Sequence, residues 1–173
     1  MSPEIYIYIY TNYIYNEIQK TTPTRRLAFS CIKDTNHFLS RLRNIGKIPE
    51  RALLCTVDFV GLYPSIPHGE GLEAIGLALD RREYTSVAID TLIGLVSLVL
   101  DNNSFEFSDK IYRQTLDTAI GTKFAPAYAN LFMTRVEKTL LDSSAEKTLV
   151  WMRYIDDVFF IWMHGESKLH RPS

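Results

Sequence analysis

Two rhythms of apolar residues run along this chain, one near helical spacing and one alternating, and they mark helices and strands in turn. Phe38, Leu39 and Leu42 fall at helical spacing and predict a helix over 34–44, which Gly46 and Pro49 end. The run Leu53-Leu54-Cys55-Thr56-Val57 has strand character and delivers Asp58 at its end. A short helix is predicted over 68–79 and a longer, largely apolar one over 85–100. The second is interrupted by Asp90, Thr91, Gly94 and Ser97 and stops at Asp101, so it reads as a buried helix and not as a membrane span. Alternation through Phe105, Phe107, Ile111 and Tyr112 predicts a hairpin over 104–114 with Ser108-Asp109 at its turn. Pro126 sits where a loop enters a helix that runs through Ala129, Leu131, Phe132, Val136 and Leu140. Finally, Trp151 and Met152 precede, and Val158-Phe159-Phe160-Ile161-Trp162 follow, a turn that carries Asp156 and Asp157. Together these elements predict an α+β architecture, an antiparallel sheet with helices packed on one face.

The first thirty residues follow a different rule. Ile and Tyr alternate from Ile5 to Tyr10 and again over Tyr13-Ile14-Tyr15, a pattern that predicts an aggregation-prone strand. The same alternation results when an A-T dinucleotide tract is translated through the codons ATA and TAT. Residues 1–30 are therefore expected to be a non-family segment, either such a strand or disordered read-through from flanking sequence. The start lacks the basic region and clean apolar core of a signal peptide.

With 173 residues, 46% of them hydrophobic, the chain is long and apolar enough for one core and is not disordered overall. Cys31 and Cys55 have no pairing spacing and His37, His68, His164 and His170 lie far apart, so a reducing compartment and no structural zinc are expected. The net charge of −1 is unevenly spread. Arg25, Arg26, Lys33, Arg41, Arg43, Lys47 and Arg51 stand against Asp34 and Glu50, a local +5 that leaves −6 for the remainder. Contact with nucleic-acid phosphates is one reading of this stretch. A solvated helix face is the other.

The chemistry is carried by carboxylates in apolar frames. Asp is a favoured turn residue whatever the function, so Asp156-Asp157 alone is compatible with an ordinary β-turn. A second acid, Asp58, at the end of another strand changes this. A strand Asp and a hairpin-tip Asp on neighbouring strands suit two Mg²⁺ ions roughly 3.5–4 Å apart, the arrangement of in-line phosphoryl displacement. Hard oxygen ligands favour Mg²⁺ over zinc. The loop Gly121-Thr122-Lys123-Phe124-Ala125-Pro126 would let backbone approach a nucleotide closely, although such a loop also serves simply as a helix entry.

In order, three segments resemble motifs A, B and C of reverse transcriptases, most closely those of Penelope-like retroelements, whose palm is related to that of telomerase. The first runs from Thr56-Val57-Asp58-Phe59-Val60-Gly61-Leu62-Tyr63-Pro64 to Leu72, the second from Gly121 to Met133, and the third is Arg153-Tyr154-Ile155-Asp156-Asp157. The resemblance extends over residues 31–169, leaving 170–173 as a tail.

This resemblance implies a reverse-transcriptase-like palm with incomplete fingers and no thumb. It implies an RNA-directed DNA polymerase that transfers nucleotides from dNTP to a primer 3′-hydroxyl on an RNA template with a DNA primer, using two Mg²⁺ ions or Mn²⁺ in their place. Asp58, Asp156 and Asp157 would be catalytic, and Phe59 would add a backbone carbonyl to the metal ligands. Tyr63 would lie against the sugar of the incoming nucleotide, although an aromatic core residue is its ordinary role. Gly121, Ala125 and Pro126 would shape the floor beneath the base pair, with Lys123 nearby. Arg25, Arg26, Lys33, Arg41, Arg43 and Lys47 would bind nucleic acid. The setting would be intracellular, nuclear within an active element, with no membrane partner. Ile120 stands where many reverse transcriptases carry Gln, and Asp117 adds an acid before the loop. The alternative is a retroelement remnant without catalysis that at most binds nucleic acid.

Overall fold

In the computed structural model the described residues are 3–21, 29–82, 87–113 and 123–169. They form two compact units, one of Met1–Leu27 with Gly61–Val136 and one of Ala28–Val60 with Glu137–Ser173.

The second unit is built on a three-stranded antiparallel sheet of β1 (Leu53–Asp58), β4 (Val150–Tyr154) and β5 (Asp157–Trp162), in the order β1-β5-β4. β5 is central, which explains its unbroken apolar run: a strand covered on both faces does not alternate. Val158, Phe160, Ile161 and Trp162 are all buried, whereas edge strand β1 leaves Leu54, Thr56, Val57 and Asp58 exposed. Val158, Phe160 and Trp162 form the core of one face, joined by Leu53, Cys55, Phe59 and Trp151, and Trp151 stacks on Phe160 with ring centroids 5.4 Å apart. On the other face, helix α2 (Thr35–Arg43) sets Phe38 edge-on to Phe159. Asp34 caps α2 by accepting a hydrogen bond from the His37 amide, and the helix ends at Asn44, close to the predicted bounds. A short helix, Glu166–Leu169, follows the sheet.

The first unit is helical apart from one hairpin. α1 (Pro3–Thr21) is a helix, not the expected strand. Its buried residues Thr11, Ile14, Glu17 and Ile18 recur at helical spacing, and the helix packs on α4 (Ile89–Asp101) and on α3 (His68–Asp80). Burial of that stripe overrides the strand propensity of Ile and Tyr, which is weak and context-dependent. In α3 the buried positions Gly71, Ala74, Ile75, Ala78 and Leu79 face inward, and in α4 Leu92, Val96, Val99 and Leu100 do so. α4 starts at Ile89; residues 85 and 86, the first two of the predicted helix, lie outside the described ones. β2 (Ser104–Phe107) and β3 (Lys110–Arg113) form the predicted hairpin. Ser108 (φ 51°) and Asp109 (φ 59°) both take left-handed backbone at its turn, as a two-residue I′ connection requires. α5 (Ala125–Ser143) begins in this unit and ends in the other. Among the described residues no helix is long and apolar enough to cross a membrane.

Candidate active site

The three predicted aspartates lie together in the sheet unit. Asp58 is the last residue of β1 and Asp157 the first of β5, and they are direct cross-strand partners. Asp157 is also paired with Tyr154 across the β4–β5 hairpin, which leaves Ile155 and Asp156 as a two-residue turn. The turn puts Asp156 beside the pair, and the Phe59 amide donates to the Asp156 carbonyl at 3.3 Å. Ile155 adopts φ 55°, a left-handed conformation that a β-branched residue rarely accepts. Such strain persists only where surrounding structure enforces it.

That enforcement comes from residues to which the sequence reading assigned no role. Arg153 is fully buried in β4, and its Nε lies 2.9 Å from Glu137 Oε1 of α5. Its Nη1 donates to the Ile155 carbonyl at 2.9 Å and its Nη2 to Cys31 Sγ at 3.2 Å. Glu137, also buried, accepts further bonds from Ser30 Oγ and Trp151 Nε1, each at 2.7 Å. The Arg153 backbone is held too: its amide donates to the Ser30 carbonyl and its carbonyl accepts from the Ile32 amide. Burial pushes the Cys31 thiol up from its ordinary pKa, with the Arg153 charge opposing the shift. The available signal was an arginine standing inside an apolar strand and a glutamate inside an apolar helix face.

A cavity of about 530 Å³ opens on the face of the sheet that carries Phe159. Asp34 and Phe38 of the α2 region form one wall and Thr56, Tyr154, Asp157 and Phe159 the other. A carboxylate of the hairpin thus borders a largely apolar space.

The remaining candidates are distributed as follows. Tyr63 opens a 3₁₀ turn (Tyr63–Ser65) and is half-buried; Ala125 and Pro126 start α5, the first buried and the second exposed, and Lys123 is exposed just before them. All four belong to the helical unit. Gly121, Arg25 and Arg26 lie outside the described residues. Lys33, Arg43, Lys47 and Arg51 are exposed in the sheet unit. Arg41 is committed to structure: its Nη1 donates to the Phe29 carbonyl at 2.8 Å and its guanidinium stacks over the Phe29 ring.

Among the described residues no basic side chain pairs with Asp58, Asp156 or Asp157. Nor does any group of three His, Cys, Asp or Glu among them form a metal-ligand cluster. Mg²⁺ is commonly held by one or two carboxylates with water and substrate phosphate completing its shell, and Asp58, Asp156 and Asp157 are the groups that could hold it here. The Phe59 carbonyl follows Asp58 directly in the chain.

No protein-family model matches this chain, and no curated protein matches it. Its fold is α+β and reverse-transcriptase-like. Telomerases are among the solved structures that it is similar to. Apo telomerase from Candida tropicalis aligns with a TM-score of 0.62 at 12% identity, over 96% of this chain and 32% of that one. Telomerase from Candida albicans, in complex with a TWJ fragment of telomeric RNA, aligns with a TM-score of 0.65 at 9% identity, over 93% of this chain and 31% of that one. The Candida tropicalis enzyme with the same kind of RNA fragment gives a TM-score of 0.62 at 12% identity, over 92% of this chain and 29% of that one. The chain spans about a third of the length of these proteins. At such identities the likeness establishes the fold alone.

Proposed function

We propose that this chain is the catalytic palm of an RNA-directed DNA polymerase of Penelope-like type. The observation that carries the reading is the cross-strand pair Asp58–Asp157 with Asp156 in the adjoining turn, on a reverse-transcriptase-like fold. Asp58 and Asp156 would hold two Mg²⁺ ions, or Mn²⁺, with the Phe59 carbonyl and Asp157 in support. When bound, such ions make the primer 3′-oxygen a nucleophile at neutral pH and offset charge on the triphosphate. The chain itself would contribute position. Tyr63 would exclude a 2′-hydroxyl, Gly121, Ala125 and Pro126 would underlie the nascent pair with Lys123 near the phosphates, and base pairing with an RNA template would supply sequence. Exposed Lys33, Arg43 and Lys47, with Arg25 and Arg26, would bind backbone phosphates. An RNA partner is supported by the RNA present in two of the telomerase structures. The setting would be nuclear.

The test is primer extension on an RNA template by the full chain with Mg²⁺ and dNTP. Metal-dependent extension is the result the assignment requires, and it should be lost in Asp58→Ala and in Asp156→Ala. Activity that survives both substitutions overturns the assignment. Salt-dependent RNA binding without any extension would instead mark a retroelement remnant that binds nucleic acid.

A further inference from the structure

We infer that Arg153, anchored by Glu137, is the positioning residue that sets the backbone of Asp156. The inference rests on the polymerase reading for its functional meaning, but its physical basis is independent of it. The conformation of a residue is defined by the two peptide planes that flank it. For Asp156 both are pinned. The plane before it is held through the Ile155 carbonyl, which accepts from Arg153 Nη1 at 2.9 Å. The plane after it is held through its own carbonyl, which accepts from the Phe59 amide at 3.3 Å. One clamp comes from within the hairpin and the other from the residue following Asp58.

The Arg153 clamp is built for direction. Its guanidinium is fully buried: Nη1 and Nη2 donate hydrogen bonds to Ile155 and Cys31, and Nε forms an ion pair with Glu137. Burying an ion pair carries a desolvation cost that apolar residues of similar volume would avoid, so stability alone does not account for it. A planar fork, by contrast, fixes the angle between the groups it joins. Here it joins the carboxylate of Glu137 to the carbonyl of a residue at φ 55°. Glu137 is itself fixed by Ser30 and Trp151, so the brace runs from α5 to the turn without a mobile link. Loss of the brace would let the strained Ile155 relax and carry the Asp156 carboxylate with it.

The decisive variant replaces both charges, Arg153→Met with Glu137→Met, so that neither is left buried alone. Three quantities are read on the full chain: the thermal midpoint, amide hydrogen exchange over residues 154–157, and Mn²⁺ affinity by electron paramagnetic resonance. The midpoint should fall only by what Ser30 and Trp151 lose with their acceptor, the turn amides should exchange faster than those elsewhere in the sheet, and Mn²⁺ should bind roughly tenfold more weakly, the loss typical when a residue that orients a metal ligand is removed. Turn exchange and Mn²⁺ affinity both unchanged would overturn the inference. Should the double variant fail to fold, Arg153→Lys decides. It keeps the charge beside Glu137 but offers a single amine, so weaker Mn²⁺ binding at an unchanged midpoint is expected and wild-type affinity would overturn the brace. If the wild-type chain binds no Mn²⁺, the polymerase reading fails, and the exchange comparison alone still supports or overturns the role of Arg153.

Discussion

Asp58 and Asp157 face each other across the β1–β5 ladder as the terminal residues of their strands. Like charges in directly opposed positions are destabilising, on the scale of the roughly 0.2–1 kcal/mol that cross-strand pairs contribute. A cation bound between them would relieve that repulsion.

Neutralising one member should therefore stabilise the metal-free chain. Asp157→Asn is expected to raise the thermal midpoint in chelator by a few degrees. Added Mg²⁺ should raise the wild-type midpoint, and the variant's by less, since Asp58 and Asp156 remain. A midpoint lowered in chelator would contradict the opposed geometry.

Gly71 is required by packing. A methyl group there would fall on the ring and hydroxyl of fully buried Tyr128. Gly71→Ala should cost about 1–3 kcal/mol in a denaturant titration, the range of overpacked cores. Adding Tyr128→Phe should recover only part of the loss, because ring carbons as well as the hydroxyl are struck. Unchanged stability in Gly71→Ala would show that the helix and Tyr128 are not so placed.

The strain at Ile155 can be relieved without removing a partner. Asn accepts left-handed backbone far better than Ile, so Ile155→Asn should add about 1 kcal/mol of stability. A loss of stability would mean that Ile155 side-chain contacts outweigh its backbone cost. Calorimetry on the two proteins gives the answer.

Three ionisable groups among the described residues shape the pH profile. Burial raises the Cys31 pKa, so below the ordinary thiol value of 9.0 both folded and unfolded chains hold the proton and stability is unaffected. Above it the unfolded chain releases the proton first, and stability falls as pH rises. Cys31→Ala should flatten this alkaline limb, leaving the part due to Cys55, which is shifted the same way. Glu146 behaves oppositely: the hydrogen bond and charge of Lys168, with His164 adding to them, hold it below the usual carboxylate range. Its contribution is present above that range and is lost as pH falls through the lowered value. Glu146→Gln should flatten the acid limb, and thermal midpoints across pH would reveal either limb left unaltered.

The basic residues divide into exposed ones and a brace. Charge-reversing Lys33, Arg43 and Lys47 should weaken RNA binding and reduce the salt slope by about 0.7 per lost phosphate contact to a single strand. Arg41→Ala should instead lower the thermal midpoint, since Arg41 holds the turn at Phe29 and Ser30. Equal effects of all four on the salt slope would contradict this division.

Much of this arrangement was legible because it is local. The β1 run ending in Asp58, the turn at Ser108-Asp109 and the Asp156-Asp157 tip were read from periodicity and turn chemistry acting over a few residues. The α1 stripe was not, because alternating Ile and Tyr satisfy a strand as readily as a helix until a partner such as α4 is available to bury Ile14 and Ile18.

The sequence by itself determined where the strands end, which acids they deliver, and which segments other than α1 fold as helices around apolar faces. Those outcomes depend on neighbours along the chain, so their physics is contained in short windows. Only the tertiary structure decided that Asp157 rather than Asp156 stands opposite Asp58, and that Ser30 and Glu137, 107 positions apart, meet beside Arg153. Strand register and buried polar contacts are set by packing across the whole unit, where a side chain reports its preference for burial but not the identity of the group that will satisfy it.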